Sequence, residues 1–389
     1  MKVAVVGIGQ CGSNIADEFY HLNQYAKSFL GRRIEIVTNA LAVNTDSSDL
    51  RGFKHIPAKN RILVGTGRTF GHGVGKINVE AARIFADERM LLAGEISKSK
   101  GFYETDAVVV ISSAAGGTGS GGIGQIVKIL RERLGRHVIA MVVLPFAYEE
   151  SGVVSYALTN AATCVSTVDN FADVTFILDN EKFSRGASVS MADSYQDINQ
   201  QMVRNFYDLF CGGEEKVGKY VGAKVADAGD IVASLTGISV IGRGEVSLPT
   251  FRFRKYSLDE GVRKATSIST ALSEALNNLS TDINLGDARR LMAILCAPKE
   301  YITQSALQEI SQTLLDNAPQ AEIRIGDYPR RRREVSVTIV ASELVKIPRV
   351  EKLYEDATKT FEAKKVTEGQ TRDLITELKE KAEEIPRLA

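Results

Sequence analysis

Cysteine is scarce in this 389-residue chain, and that scarcity already narrows its chemistry. The four cysteines, Cys11, Cys164, Cys211 and Cys296, lie far apart with no Cys-x-x-Cys pair, which argues against a disulfide framework or zinc knuckle and suits a reducing cytoplasm. The four histidines, His21, His55, His72 and His137, show no His-Glu-x-x-His or other paired spacing, so zinc ligation and imidazole catalysis are not expected. Only 8 prolines occur, and no internal repeat or low-complexity linker interrupts the chain. An excess of charge is missing too: 48 Lys plus Arg balance 48 Asp plus Glu, so no global field draws the protein to nucleic acid or an anionic membrane. No apolar run approaches the roughly 20 residues needed to cross a bilayer, the longest being Val138 to Ala147. Met1 to Val6 superficially resembles a signal-peptide start, but Gly7, Gly9, Gln10 and Gly12 end the apolar run, and a buried first strand is the better reading.

What is present is the composition of a folded protein, 44% apolar and 25% charged. Single cores stop growing at ~250–300 residues, so two domains are expected. Through the first half, short β-branched runs alternate with amphipathic segments, the pattern of βα units winding a parallel sheet. Strands are expected at Lys2 to Val6, Ile34 to Val43, Ala107 to Ile111, Val138 to Leu144 and Val174 to Leu178. Helices are expected over Asn14 to Phe29, Val79 to Leu92, from about Ile123 to Gly135, and over Asp193 to Phe210. From about Ile238 a small α+β domain is expected. It has a strand at Leu291 to Cys296 and a helix at Ser305 to Leu315 opened by a Ser305-x-x-Gln308 capping box. A hairpin of Ala321 to Ile325 and Glu334 to Ala341 follows, joined by Asp327-Tyr328-Pro329 and Arg330 to Arg333. That arginine run could meet an acidic partner, but at a hairpin tip it is more often a solvated edge. Beyond Pro348 the chain is charge-rich with apolar Leu374, Ile375, Leu378 and Ile385, read as one or two surface helices. The expected division is an α/β domain over 1–190, a central helix and following loop over 191–237, an α+β domain over 238–348, and terminal helices over 349–389.

The glycines carry the chemistry. Gly7-Ile8-Gly9-Gln10-Cys11-Gly12 fits G-x-G-x-x-G between a strand and a helix, either a tight turn or a dinucleotide loop whose N–H groups meet a phosphate at a helix N-terminus. Ala114 to Gly122 holds five glycines and two hydroxyls between another strand and helix, a nest wide enough for a polyphosphate and richer in glycine than packing would require. Gly73-Val74-Gly75-Lys76 fails as a Walker A loop, which would place Gly at Phe70 and Ser or Thr at Ile77. An NAD-dependent dehydrogenase finds support in the first loop only, since Asp46 comes late for a ribose-binding acid and the second loop goes unexplained.

Gly9-Gln10-Cys11-Gly12 and Ala115-Gly116-Gly117-Thr118-Gly119-Ser120-Gly121 together resemble the phosphate loops of the tubulin/FtsZ superfamily of polymerising GTPases, and such tubulin-like loops on a chain of FtsZ size resemble its archaeal CetZ group more than FtsZ or eukaryotic tubulin. That resemblance implies a Rossmann-like GTPase domain, a long central helix and a smaller α+β domain, with GTP or GDP and Mg²⁺ bound. It implies self-association into filaments with a role in cell shape or division, no nucleic-acid partner and no direct membrane insertion. The first loop and Asn14, the second loop, Asn44 and Asp46, and Gly73 and Gly75 would surround the phosphates, while Gln10 and Asp46 would hold Mg²⁺ directly or through water. Glu149 in Pro145-Phe146-Ala147-Tyr148-Glu149 would reach the ribose, although the arginine that bacterial FtsZ places after it has no counterpart here. Asn180, Tyr195 and Asn199 would read guanine. Tyr195 and Asn199 stand four apart on one helix face, offering a ring to stack and an amide to hydrogen-bond.

In the same family an N-x-D-x-x-D/E loop from one subunit completes the next subunit's site. Here Asp227 and Asp230 fit as the catalytic pair, while Val225 replaces the Asn. Both carboxylates also suit the opening of the helix that follows them, and Asp46 suits an Asx turn equally well. A nucleotide-binding regulator that never polymerises is the reading that Val225 keeps open. The terminal residues lack the linker and apolar docking peptide typical of division FtsZ.

Overall fold

The computed structural model describes residues 1–151, 156–184, 191–215, 220, 222–224, 226–248 and 260–362. Its strands are β1 (Val3–Ile8), β2 (Val37–Asn44), β3 (Arg61–Leu63), β4 (Ala107–Ser113), β5 (His137–Leu144), β6 (Val174–Asp179), β7 (Gly237–Ser247), β8 (Arg290–Ala297), β9 (Glu322–Pro329) and β10 (Glu334–Ser342). They form one ten-stranded sheet in the order β3-β2-β1-β4-β5-β6-β7-β10-β8-β9. From β3 to β7 the pairs are parallel, while β10 runs antiparallel to both β7 and β8. The expected α/β fold with a following α+β unit is what this mixed sheet describes.

The helices that position the site are α1 (Gly9–Lys27), α2 (Asn78–Asp87), α3 (Thr118–Leu134), α4 (Tyr156–Phe171), α5 (Met191–Asn205), α6 (Ala228–Ser234), α7 (Glu260–Asn277) and α8 (Gln304–Asn317). Val-rich β1 and β4 are buried on both faces, which is why they read as continuous apolar runs instead of alternating ones. Alternate side chains serve two cores. Ala4, Val6, Val108 and Val110 pack with Ile123 and Ile126 of α3, whereas Val3, Val5, Val109 and Ile111 pack with Ile15 and Phe19 of α1.

Two helices begin earlier than expected, α1 at Gly9 and α3 at Thr118, so Thr118 to Gly122 are helical residues and not loop. Glycine is a poor helix former, but tertiary contact decides here. A Cβ on Gly121 would collide with the Asn78 carbonyl, and one on Gly122 would stand 2.7 Å from the Phe85 ring, so bare backbone lets α3 lie against α2. The expected ending at Gly135 holds, with φ +56° in the left-handed region. The helix expected over Val79 to Leu92 is broken at Glu88, and that over Asp193 to Phe210 at Phe206.

The expected hairpin does not form. β8 lies between β9 and β10, parallel to β9, and Asp327 and Tyr328 are buried within β9. Asp327 accepts hydrogen bonds from Ala223 N (3.1 Å) and Lys224 N (2.6 Å), work for a buried carboxylate and not for a turn. Nor is the arginine run uniformly solvated: Arg330 is 10% exposed and pairs with Glu215 at 2.8 Å. Thr303, not Ser305, caps α8, accepting from Ala306 N at 3.2 Å. A helix begins at residue 348 and is described to 362, with Val350, Leu353 and Ala357 buried, so it is packed rather than superficial. Leu374, Ile375, Leu378 and Ile385 lie outside the described residues.

Candidate functional site

Parallel strands deliver all their carboxyl ends to one edge, where ligands of open α/β sheets bind. Ile8 pairs with Val43 and Ser112, Ser113 with Val143, and Leu144 with Asp179, so the loops after β1, β2, β4, β5 and β6 form one row. Gly9, with φ +69°, touches the second glycine loop: its Cβ would stand 3.1 Å from Gly119 N. Neither α1 nor α3 has a side-chain cap, so both present first-turn N–H groups to the loop space. Gln10 and Asn14 are exposed on the first turns of α1. Gly12 has a packing duty, because a Cβ there would collide with the Ile111 carbonyl of β4.

The abundance of glycine after β4 is largely a packing matter, contrary to expectation. A Cβ on Gly117 would stand 2.6 Å from Val74 Cγ2, and one on Gly119 3.0 Å from the Ile8 carbonyl, in addition to the Gly121 and Gly122 contacts. Gly116 has nothing within 4 Å of its missing Cβ, and the same holds for Gly75. These two border the open space. Asn160 of α4, which the sequence reading missed, donates its amide to the carbonyls of Lys76 (2.8 Å), Ala115 (3.2 Å) and Gly116 (3.2 Å). In planar trans peptides this turns the N–H groups of Gly116 and Gly117 the opposite way, away from Asn160. A lone Asn among Ala157, Leu158, Ala161, Cys164 and Val165 was the available signal. Ser120 hydroxyl also donates to the Gly116 carbonyl.

The loop after β2 leans on both glycine clusters. Thr45 and Thr118 hydroxyls meet at 2.7 Å, Gly73 N donates to Thr45 O at 3.2 Å, and Asn44 donates to Asp49 at 2.9 Å. Asp46 caps the short helix Ser47–Arg51 through one oxygen, accepting from Ser48 N at 2.8 Å, from Asp49 N at 3.3 Å and from the Ser48 hydroxyl. The Ser48 hydroxyl chiefly, with the backbone bonds, holds its carboxyl below the usual range, so it is ionised. Its other oxygen faces Gly73, whose Cβ would stand 3.6 Å away.

Farther along the row, Phe146 stacks on Tyr148 (5.3 Å) and meets Tyr195 edge-on (5.9 Å), while the Tyr148 and Tyr195 hydroxyls bond at 2.9 Å. Asn199 is half-buried on the same helix, and Asn180 opens the turn after Asp179. Glu149 accepts from Phe146 N at 3.0 Å, closing its own turn. Burial, and next the Glu149 carboxylate, push the Cys11 thiol up to about 12, so it is a neutral packing group.

Asp227 and Asp230 are not brought to this row. Helix α6 leads into Gly237, which pairs with Val174 at the start of β6, so the two carboxylates lie at the amino edge of the sheet. They form a reciprocal capping box: Asp230 N donates to Asp227 at 2.8 Å and Asp227 N to Asp230 at 3.4 Å. Both are exposed, and Arg324 stands 3.5 Å from Asp230. Val225 lies outside the described residues. Among the described residues no group of three His, Cys, Asp or Glu side chains could hold a metal alone, and no helix is long and apolar enough to cross a membrane.

A parallel sheet with glycine loops along its carboxyl edge defines a Rossmann-like nucleotide-binding class. Residues 2–188 match the Tubulin/FtsZ family GTPase domain and residues 188–359 the C-terminal domain of tubulin-like CetZ. Tubulin-like protein CetZ1 of Haloferax volcanii is 30% identical over 374 residues, 92% of each chain. The solved CetZ1 from that organism, a GDP-bound monomer, superposes with a TM-score of 0.78 at 27% identity, covering 92% of this chain and 99% of that one. CetZ2 from the same organism, a GTPγS-bound protofilament, gives 0.80 at 23% identity, covering 94% and 100%. The chain belongs to the CetZ family of the tubulin/FtsZ superfamily.

Proposed function

We propose that this protein binds and hydrolyses GTP in the cytoplasm and assembles head to tail into protofilaments that serve cell shape or division. The observation that carries this reading is the separation of the open glycine row and the acidic capping box onto opposite edges of one sheet. One subunit cannot join them, whereas head-to-tail stacking of copies can, and a heterologous contact that does not close gives a filament. The GDP and GTPγS in the CetZ1 and CetZ2 structures accord with a guanine nucleotide here.

In this reading Gly116 and Gly117 N–H groups and the α1 and α3 N-termini hold the phosphates, Glu149 reaches the ribose, and Asn180, Tyr195 and Asn199 hold guanine. The residues fit Mg²⁺: Asp46 is ionised and keeps one oxygen toward Gly73, and Gln10 adds an amide oxygen, so phosphate and water would complete the hard-oxygen shell this ion prefers. Bound there, Mg²⁺ supplies charge neutralisation on the phosphates. Asp227 and Asp230 of a neighbouring copy orient the attacking water and accept its proton, and both can do so while capping α6. The occupation of both carboxylates in their own helix is the observation favouring the alternative, a nucleotide-binding regulator that does not polymerise.

Turnover per molecule, measured against protein concentration with NAD and ATP as controls, tests the reading. It should rise steeply with concentration for GTP alone, and a mixture of Asp230→Ala with Gly116→Asp should regain activity that neither has. Concentration-independent turnover with no pelleting favours the regulator.

A further inference from the structure

We propose that Arg349, on the first turn of the helix that begins at residue 348, is a positioning residue that clasps the ribose-side and base-side loops of the nucleotide site to the C-terminal domain. This rests on the guanine nucleotide reading above. The Arg349 guanidinium reaches three acceptors at once: Nε donates to Asp179 Oδ2 at 3.2 Å, and Nη2 donates to the Pro145 carbonyl at 3.2 Å and to Glu150. Those acceptors lie 170 to 204 residues away in sequence. Pro145 and Glu150 bracket the turn that carries Glu149, and Asp179 caps the turn that opens with Asn180, accepting from Glu181 N at 3.1 Å. Glu181 in turn accepts from Ala147 N at 2.8 Å, so the two loops are already tied side by side and Arg349 sits across the tie.

Charge makes the clasp consequential. Asp179 is 8% and Glu150 13% exposed, and the Arg349 guanidinium that faces both is 16% exposed. Burial raises the Asp179 carboxyl and Arg349 opposes that rise. Without the cation two half-desolvated carboxylates would repel across the base end of the site. The planar guanidinium fork supplies several charged donors in a fixed geometry from one side chain, whereas an ammonium at the same place is a point charge. None of these contacts touches the glycine loops, which Asn160 and Thr45 hold. The clasp therefore orders the ribose and base end and leaves the phosphate end alone. By linkage, nucleotide that requires ordered loops must also tighten the docking of the 348–362 helix.

The test compares binding of GDP and of tripolyphosphate to the nucleotide-stripped full chain. Arg349→Met keeps the stem and removes the fork. It should weaken GDP by about tenfold, the scale of a lost charge-assisted hydrogen bond, while tripolyphosphate affinity stays within about twofold; Arg349→Lys should fall between. GDP should slow amide exchange in residues 348–362 of the parent chain and not in Arg349→Met. Equal losses for both ligands would mean that Arg349 only supports the fold, and unchanged GDP affinity would mean that it does not act on the site; either overturns the proposal. Should Arg349→Met fail to fold, Glu150→Gln takes the charge from one arm of the clasp while leaving an acceptor oxygen, and a smaller split in the same direction, GDP weakened and tripolyphosphate not, is required of it. ADP bound as tightly as GDP by the parent chain would sink the guanine reading, while the nucleotide-to-tripolyphosphate split still decides the role of Arg349.

Discussion

The carboxyl and amino edges of the parallel sheet both carry helix starts, and they treat them in opposite ways. At the carboxyl edge α1 and α3 begin at Gly9 and Thr118 without a side-chain cap. At the amino edge Asp227 accepts from the Asp230 N–H and Asp230 from the Asp227 N–H, a reciprocal cap at the start of α6. An uncapped helix start leaves donors and partial positive charge to be met from outside, whereas a capped one is self-sufficient and turns negative charge outward. The first edge is thus built to receive an anion and the second to present a carboxylate. Asp46 and Asp179 add a variation: each caps a short helix within the receiving row, Asp46 through one oxygen only.

The largest effect expected from breaking this contrast is on turnover. Asp230→Ala should lower GTP hydrolysis on the order of 10³-fold with GDP affinity unchanged, measured by phosphate release and calorimetry; normal turnover would leave the residue a helix cap and nothing more. Next comes Asp208, which the amino-edge half relies on. Its burial would raise the carboxyl, but Arg32 and Arg243 hold it well below the usual range. Such a depressed carboxylate stabilises the fold fully above its unfolded value of about 3.9 and loses that contribution as pH falls toward the folded value. Asp208→Asn should therefore cost roughly 3 kcal/mol near neutrality, and its denaturant midpoint should converge on the parent's as pH drops below about 4.

Gly116→Asp sharpens the contrast from the other side, placing a carboxylate where the structure leaves open space. Nucleotide should bind about a hundredfold more weakly, from charge repulsion with phosphate, while thermal unfolding stays near that of the parent. Gly119→Val is the poorer probe, since its side chain would press on the Ile8 carbonyl whatever the ligand. The smallest effect is that of Asp227→Asn, which keeps a good cap and should shift stability by only a few tenths of a kcal/mol. A clear fall in hydrolysis with that small shift would separate chemistry from capping.

Much of this was legible in the sequence, for reasons that are local. The runs in β4 and β5 and the Gly135 stop are short-range patterns, and the two glycine loops sit at strand ends where such loops bind phosphate. The starts of α1 and α3 were misplaced because glycine argues for loop by propensity, while contacts with β4 and α2 decide the conformation. The order of β8, β9 and β10 was illegible because adjacency in sequence suggested a hairpin that the insertion of β8 forbids. Thr303 was passed over for Ser305, two residues on, since both fit the cap chemistry. Asn160 and Arg349 act across 44 to 204 residues, a distance at which no spacing rule operates.

Strand β7 sets a timetable for synthesis. Only its first three residues, Gly237 to Ser239, lie against β6, whereas Val240 to Ser247 pair with β10. Roughly 90 residues separate the end of β7 from the start of β10, so at ~5–20 residues per second a nascent chain carries Val240 to Ser247 without their partner strand for on the order of ten seconds. Until Glu334 to Ala341 have left the ribosome, the growing protein has a finished first half ending in a ragged edge, a ready template for the wrong strand. Stalling within that window, or truncation before Glu334, should yield chains that need a chaperone's cover even though their first half is already complete.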